Sequence, residues 1–112
     1  MASAHHADMA IDPGVVVPEI DAFVHEPARL RLLVFLAMLE RADFVFLLRH
    51  TGLSRGNLSV QMSKLAEAGY VEIDKRFVNN RPQTLYRLTQ AGSEALRAYR
   101  RDMASILSAL PS

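Results

Sequence analysis

From Ser54 to Ala68 the apolar residues Leu58, Met62 and Leu65 recur at spacings of four and three. At 100° per residue they gather into one narrow sector, with Gly69 just beyond, which predicts an amphipathic helix with that sector facing a core. The opposite sector holds Gly56, Val60, Ser63 and Glu67, flanked by Asn57, Lys64 and Ser59, with Arg55 nearer the boundary. Apart from Val60 and Glu67 that face is small, polar or basic. Gly56 costs the helix about 1 kcal/mol relative to alanine. A solvated face gives no reason to keep it; close approach of the backbone to a partner does. Upstream, Asp43 is a candidate N-cap for a shorter helix in which Phe44, Leu47 and Leu48 look inward. Gly52 stands where that helix must stop, and Ser54 is placed to cap the next. Two helices joined by a short turn containing glycine form a helix-turn-helix, whose second helix suits the DNA major groove.

The flanking pattern supplies the remaining elements. Val17, Ile20, Phe23 and Val24 fit one face of a short helix within Val15–Val24, too short to persist unless it docks. Pro27 suits the first position of a helix running to Arg41, with Glu26 as an imperfect cap. Its apolar residues Leu30, Leu32, Leu33, Val34, Phe35, Leu36, Met38 and Leu39 nearly encircle it, as expected of a buried scaffold helix, with Arg29 and Arg31 on the wet side. Tyr70–Asp74 alternates as a half-buried strand, Lys75–Gln83 is a polar, basic turn region, and Thr84–Leu88 is a second strand. Thr89 caps a last helix in which Leu96, Tyr99, Met103, Ile106 and Leu110 recur at three, four, three and four. That heptad-type seam extends about two turns beyond what a small core needs. Such a helix spans ~30 Å, and a symmetric partner is the economical way to cover it. The stripe packing on the domain's own core is the alternative.

The stretches HEPARLRLL (25–33), ADFVFL (42–47), GLSRGNLSVQMSKLAEAGYV (52–71) and RPQTLYRLTQAGSEAL (81–96), in this order and spacing, resemble the winged-helix transcriptional regulators of the MarR/ArsR-like superfamily. The resemblance implies a mostly α fold with a small β-hairpin (α+β), a winged helix-turn-helix with a long C-terminal dimerisation helix at 89–110. It implies a homodimer that binds double-stranded DNA, with recognition helix 54–68 in the major groove and wing 74–84 on the backbone or minor groove. The DNA-reading positions of the pattern fall on Ser54, Arg55, Asn57, Ser59, Val60, Gln61 and Lys64, and the wing contacts on Lys75, Arg76, Asn80 and Arg81. The dimer interface is expected on Val17, Ile20, Phe23, Val24, Leu96, Tyr99, Met103, Ile106 and Leu110. Gln61 and Ser63 depart from the larger or basic residues frequent in close relatives, so base preference cannot be carried over. Similar regulators often respond to a small molecule or a metal, yet no ligand constellation is visible in this sequence, and no cofactor is expected.

Length and charge refine this picture. At 112 residues the chain fits one domain, read as 15–112 behind a mobile tail at 1–14. His5 and His6 in that tail are read as incidental. The net charge of +1 conceals an asymmetry, because residues 1–26 hold five acidic residues and no Lys or Arg, while the remainder holds all 13 basic ones. A basic body suits a nucleic-acid binder. Arg49 and His50, ending the first helix of the motif, either complement its dipole or reach a phosphate, with capping favoured for His50. Without cysteine, a Gly-rich phosphate loop, HExxH or a histidine beside paired carboxylates, and with no base for Ser54 or Ser59, an enzyme is not expected. No apolar run approaches the ~20 residues a membrane helix needs, and the expected location is the cytoplasm. A winged-helix module contacting protein or RNA without operator binding is the alternative function.

Overall fold

The computed structural model describes Gly14 and residues 17–112. The tail expected at 1–14, His5 and His6 included, lies outside the described residues except for Gly14, as do Val15 and Val16. The first helix, α1 (Ala22–His25), is one turn whose entry is fixed by Asp21, which accepts from the N–H groups of Phe23 and Val24 at 3.0 and 3.2 Å. It is shorter than the sequence pattern suggests: residues 17–21 are not helical, and Val17 is 65% exposed. Pro18 lies within that stretch and restricts the residue before it to extended backbone.

Helix α2 (Pro27–Met38) begins as expected, with Pro27 at its first position and the Glu26 carboxylate accepting from Arg29 N–H at 2.9 Å. It stops three residues before Arg41 because Leu39 turns extended and frees Ala42–Asp43 to form strand β1. The same Asp43 then caps α3 (Phe44–Thr51) by accepting from Phe46 N–H at 2.7 Å. Gly52 ends α3 at φ +72°, a conformation that costs glycine little. Ser54 opens α4 (Arg55–Glu67), accepting from Asn57 N–H at 3.1 Å. Arg31, expected on the wet side of α2, instead donates to the Thr51 carbonyl at 2.8 Å and so satisfies the end of α3.

Strands β2 (Val71–Val78) and β3 (Arg81–Leu88) pair antiparallel from Val71 opposite Leu88 to Val78 opposite Arg81. Strand β1 adds to the other edge of β3, with Ala42 opposite Tyr86, giving the order β1-β3-β2. The hairpin is longer than expected. Only Asn79 and Asn80 turn, both at positive φ (52° and 62°), the geometry of a two-residue type I′ turn that asparagine tolerates better than most residues. Helix α5 (Gln90–Ala109) follows, capped by Thr89. The fold is therefore the α+β winged helix that the sequence predicts.

Leu32, Leu33, Leu36, Leu47, Leu58, Met62 and Leu65 form the centre of the core, with Val24, Tyr86 and Tyr99 at its margins. Val24 and Tyr99, both expected at a dimer interface, are thus buried in this chain's own core. Their burial has a visible cause: Tyr99 hydroxyl hydrogen-bonds His25 Nδ1 at 2.8 Å, closing α1 onto α5. Leu96 and Met103 lean on the edge of that core, whereas Leu107 and Leu110 beyond them are exposed. No described helix is long and apolar enough to cross a membrane.

One close approach joins the elements. Thr89 Oγ1 accepts from Gly92 N–H at 3.0 Å and donates to the Gly69 carbonyl at 2.6 Å, while Thr89 N–H donates to the Tyr70 carbonyl at 3.0 Å. A Cβ at Gly92 would lie 2.2 Å from that Tyr70 oxygen. Since backbone cannot yield as a side-chain tip can, Gly92→Ala should lower unfolding free energy by about 2 kcal/mol, as overpacking does. Urea denaturation checks this; an unchanged midpoint would show that α5 shifts freely.

Candidate functional site

The outward face of α4 is open from its first turn. Ser54, Arg55, Asn57, Ser59, Val60 and Lys64 are all exposed, as are Gly56 and Ser63 between them. Leu58, Met62 and Leu65 anchor the opposite face in the core, so packing fixes the rotation of the helix. Arg55 lies over the Phe44 ring, its guanidinium carbon 5.5 Å from the centroid, which steadies a side chain otherwise in solvent.

Gln61 is placed differently from its neighbours. It is partly buried, and Arg29 holds it there: Nη1 of Arg29 donates to Gln61 Oε1 at 2.9 Å. Nε of the same guanidinium donates to the Phe23 carbonyl at 2.8 Å, and the group lies 4.3 Å from the Phe23 ring centroid. Gln61 in turn donates from Nε2 to Asn57 Oδ1 at 3.1 Å. A chain of hydrogen bonds thus runs from α1 through α2 to an exposed asparagine on α4. Arg29 gave no signal in sequence beyond lying on the polar side of its helix.

The hairpin presents two unlike faces, and register decides which residue belongs to which. Directly opposed residues share a face. Val71, Ile73, Lys75 and Phe77 of β2 therefore lie with Leu88, Tyr86, Thr84 and Pro82 of β3 on the inner face. Near the core this face borders a cleft of about 300 Å³ lined by Ser59, Met62 and Ser63 of α4 and by Lys75, Thr84 and Tyr86 of the hairpin. Burial pushes the Tyr86 phenol above its ordinary pKa, so it stays protonated.

The outer face carries Glu72, Asp74, Arg76 and Val78 with Arg87 and Arg81. Arg76 is ion-paired to Asp74 and Arg87 to Glu72, and the Glu72 hydrogen bond raises the Arg87 pKa. Of the expected wing residues, Lys75 shares the α4 side, Asn80 is in the turn, and Arg76 and Arg81 lie on the outer face. Phe77, which the sequence reading passed over, is the largest apolar side chain on the inner face beyond the core and is 77% exposed. Its signal in the sequence is faint: Phe77 keeps the period of Val71 and Ile73, but the charged Lys75 interrupts the apolar run between them.

At the end of α3, His50 Nδ1 hydrogen-bonds the Phe46 carbonyl at 2.9 Å and its ring stacks on Phe46 at 4.1 Å, so its side chain folds back along its own helix. Arg49 beside it is exposed. Among the described residues no three His, Cys, Asp or Glu side chains gather where they could hold a metal ion.

The comparisons agree with this geometry. A family model described as a winged helix DNA-binding domain matches residues 28–107. An uncharacterised protein of Methanocaldococcus jannaschii is 34% identical over 71 residues, spanning 63% of this chain and 77% of that protein. A transcriptional regulator homologue from Pyrococcus horikoshii OT3 superposes with a TM-score of 0.72 at 24% identity, over 77% of this chain and 85% of that one. ZitR of Lactococcus lactis, a zinc-responsive MarR family member, was solved in complex with DNA; that structure matches with a TM-score of 0.59 at 14% identity, over 96% and 73%.

Gly56 isolates what the helix itself requires. A Cβ there would meet nothing within 4 Å, and its φ is not in the left-handed region. Gly56→Ala should therefore stabilise the protein by up to about 1 kcal/mol, seen as a higher urea midpoint with an unchanged denaturant slope.

Proposed function

The chain belongs to the winged helix DNA-binding domain family, and from that premise we propose that it is a homodimeric transcriptional regulator that reads operator DNA. The family is one of DNA-binding domains and not an enzyme class. In this reading α4 enters the major groove and the hairpin lies on the flanking backbone or minor groove. The observation that carries it is the shared surface: the exposed face of α4 and the inner face of the hairpin border one cleft, lined by Ser59 and Ser63 on the helix side and by Lys75 on the hairpin side.

The residues divide by chemistry. Arg55 suits bidentate pairing with guanine, Asn57 with adenine, and the Val60 methyls contact with a thymine methyl. Gly56, Ser59 and Ser63 are small enough to let the helix backbone sit deep in the groove. Ser54 and Lys64 take phosphate, as do Lys75 and Asn80 from the wing, and these contacts position the protein without reading sequence. Arg29 and Gln61 act indirectly by holding the Asn57 amide. Arg76 contributes least, because Asp74 already neutralises it.

A helix-turn-helix dimer reads half-sites one DNA turn apart, ~34–36 Å, so the spacing of its subunits must be rigid. With Val24 and Tyr99 enclosed within the protomer, the pairing surface reduces to the overhanging end of α5. There Ile106 and Leu110 continue the seam and Leu107 joins them, Leu110 being 62% exposed. An isologous pairing of two such ends repeats each contact about one axis.

Binding to a pool of random-sequence 30-base-pair duplexes across a salt series is the direct test. Affinity should fall steeply with salt, each neutralised phosphate contributing about 0.9 to the slope. Lys64→Ala and Lys75→Ala should each flatten it by about one unit, and Arg76→Ala by less. Gly56→Ala, though more stable, should bind more weakly. A salt-independent affinity would end the DNA-binding reading.

On sites selected from that pool, Asn57→Ala should relax preference at one base pair per half-site, a loss of about 1–3 kcal/mol in discrimination. If it instead lowers affinity for every sequence by one common factor, Asn57 does not read a base. For assembly, Ile106→Glu with Leu110→Glu should yield a helical monomer in sedimentation, since an unpaired buried charge is costly. A wild-type monomer with full operator affinity would remove the dimer.

A further inference from the structure

Phe77 has no structural duty within the chain. It is the most exposed of the large apolar side chains described, it lies outside the core, and Pro82 stands directly opposite it on the neighbouring strand. We propose that Phe77, with Pro82 beside it, is an apolar wedge that enters the minor groove of bound duplex DNA and unstacks a base step. The proposal rests on the DNA-binding reading above and adds an activity to it: local unwinding of the bound duplex.

Four observations select this occupant. The first is the face. Phe77 is on the side of the hairpin that borders the α4 cleft, continuous with the surface assigned to DNA, and not on the ion-paired outer side. The second is reach. Phe77 is four residues beyond Ile73, the last residue of β2 packed on the core, or about 13 Å along the strand. With α4 in the major groove, the adjoining minor groove is about half a DNA turn away, ~17 Å, within range of a ring at that position.

The third is stiffness. Eight residues of each strand pair up to a two-residue turn, so the tip is a braced ribbon, able to transmit force to a base stack. The fourth is chemistry. Phenylalanine and proline are both among the apolar side chains that wedge between base steps from the minor groove. Lys75 on the same face and Arg81 at the tip supply the positive charge that draws the hairpin towards phosphate. A protein surface would match the ring but leaves this flanking charge unexplained.

The test uses the full chain and a closed-circular plasmid relaxed by a topoisomerase in its presence. After protein is removed, the linking-number distribution records any unwinding. Filter retention of the same plasmid gives occupancy, so the shift is read per bound chain. The wild type should shift the distribution in the unwinding direction. Phe77→Ala should bind more weakly, and its shift per bound chain at matched occupancy should fall about threefold or more, whereas Phe77→Leu, which keeps a wedging side chain, should retain most of it. Circular dichroism of all three should coincide, because Phe77 contributes nothing to the core. Wild type that binds the plasmid without a shift, or Phe77→Ala with an undiminished shift per bound chain, would overturn the wedge and leave DNA binding intact. Failure to retain plasmid at low salt would overturn both.

Discussion

Two backbone carbonyls, those of Gly69 and Tyr70, tie α4, the hairpin and α5 into one body. They fall in the turn between the end of α4 and the start of β2, so neither is satisfied by its own helix. Thr89 supplies both donors, its hydroxyl to Gly69 and its N–H to Tyr70, and then caps α5 with the same hydroxyl. The absence of a side chain on Gly92 lets the first turn of α5 close on that point. The angle of α4 to the hairpin therefore depends on a contact that neither makes alone. A winged helix needs this angle fixed, because groove and backbone must be met together.

Much of this was legible in sequence, for local reasons. Asp43, Ser54 and Thr89 are caps whose chemistry acts within three residues, and each caps as expected. Leu58, Met62 and Leu65 declare the buried face of α4 by spacing alone. What was not legible is non-local. Strand β1 has only two residues, too few to alternate, and exists because Tyr86 and Leu85 offer it an edge. The hairpin outruns its recognisable strands because past Asp74 neither face is buried, so the apolar alternation fades while the pairing continues. Arg29 and Arg31 look like solvent-facing charges on a wheel, yet each reaches a carbonyl on another segment. Val24 and Tyr99 fit an apolar seam equally well whether it faces a second copy or the chain's own core, and periodicity does not distinguish the two.

The Arg29 bridge also bears on how the site could respond to its surroundings. It links α1, beside the start of the chain, to Asn57 on α4 through Gln61. A displacement of α1 reaches an exposed asparagine through three polar links, each of which has a defined geometry to lose. His25 on Tyr99 fastens the same short helix to α5. One turn of helix is thus tied directly to the element read as facing a second copy, and through Arg29 to the element read as facing DNA.

The two ion pairs on the outer side of the hairpin have a kinetic meaning. Among the described residues they are the ones found, and they cancel Arg76 and Arg87 against Asp74 and Glu72. Arg55, Lys64 and Lys75, on the other side, have no such cancellation. Positive charge on the α4 side is therefore left without an ion-pair partner among the described residues, whereas on the outer side of the hairpin two of the arginines are held by carboxylates. A polyanion approached from a distance feels a torque before it feels a contact, and the protein rotates to present its α4 side. Fewer encounters are then wasted on the wrong side, so the asymmetry acts on how quickly a complex forms more than on how long it lasts.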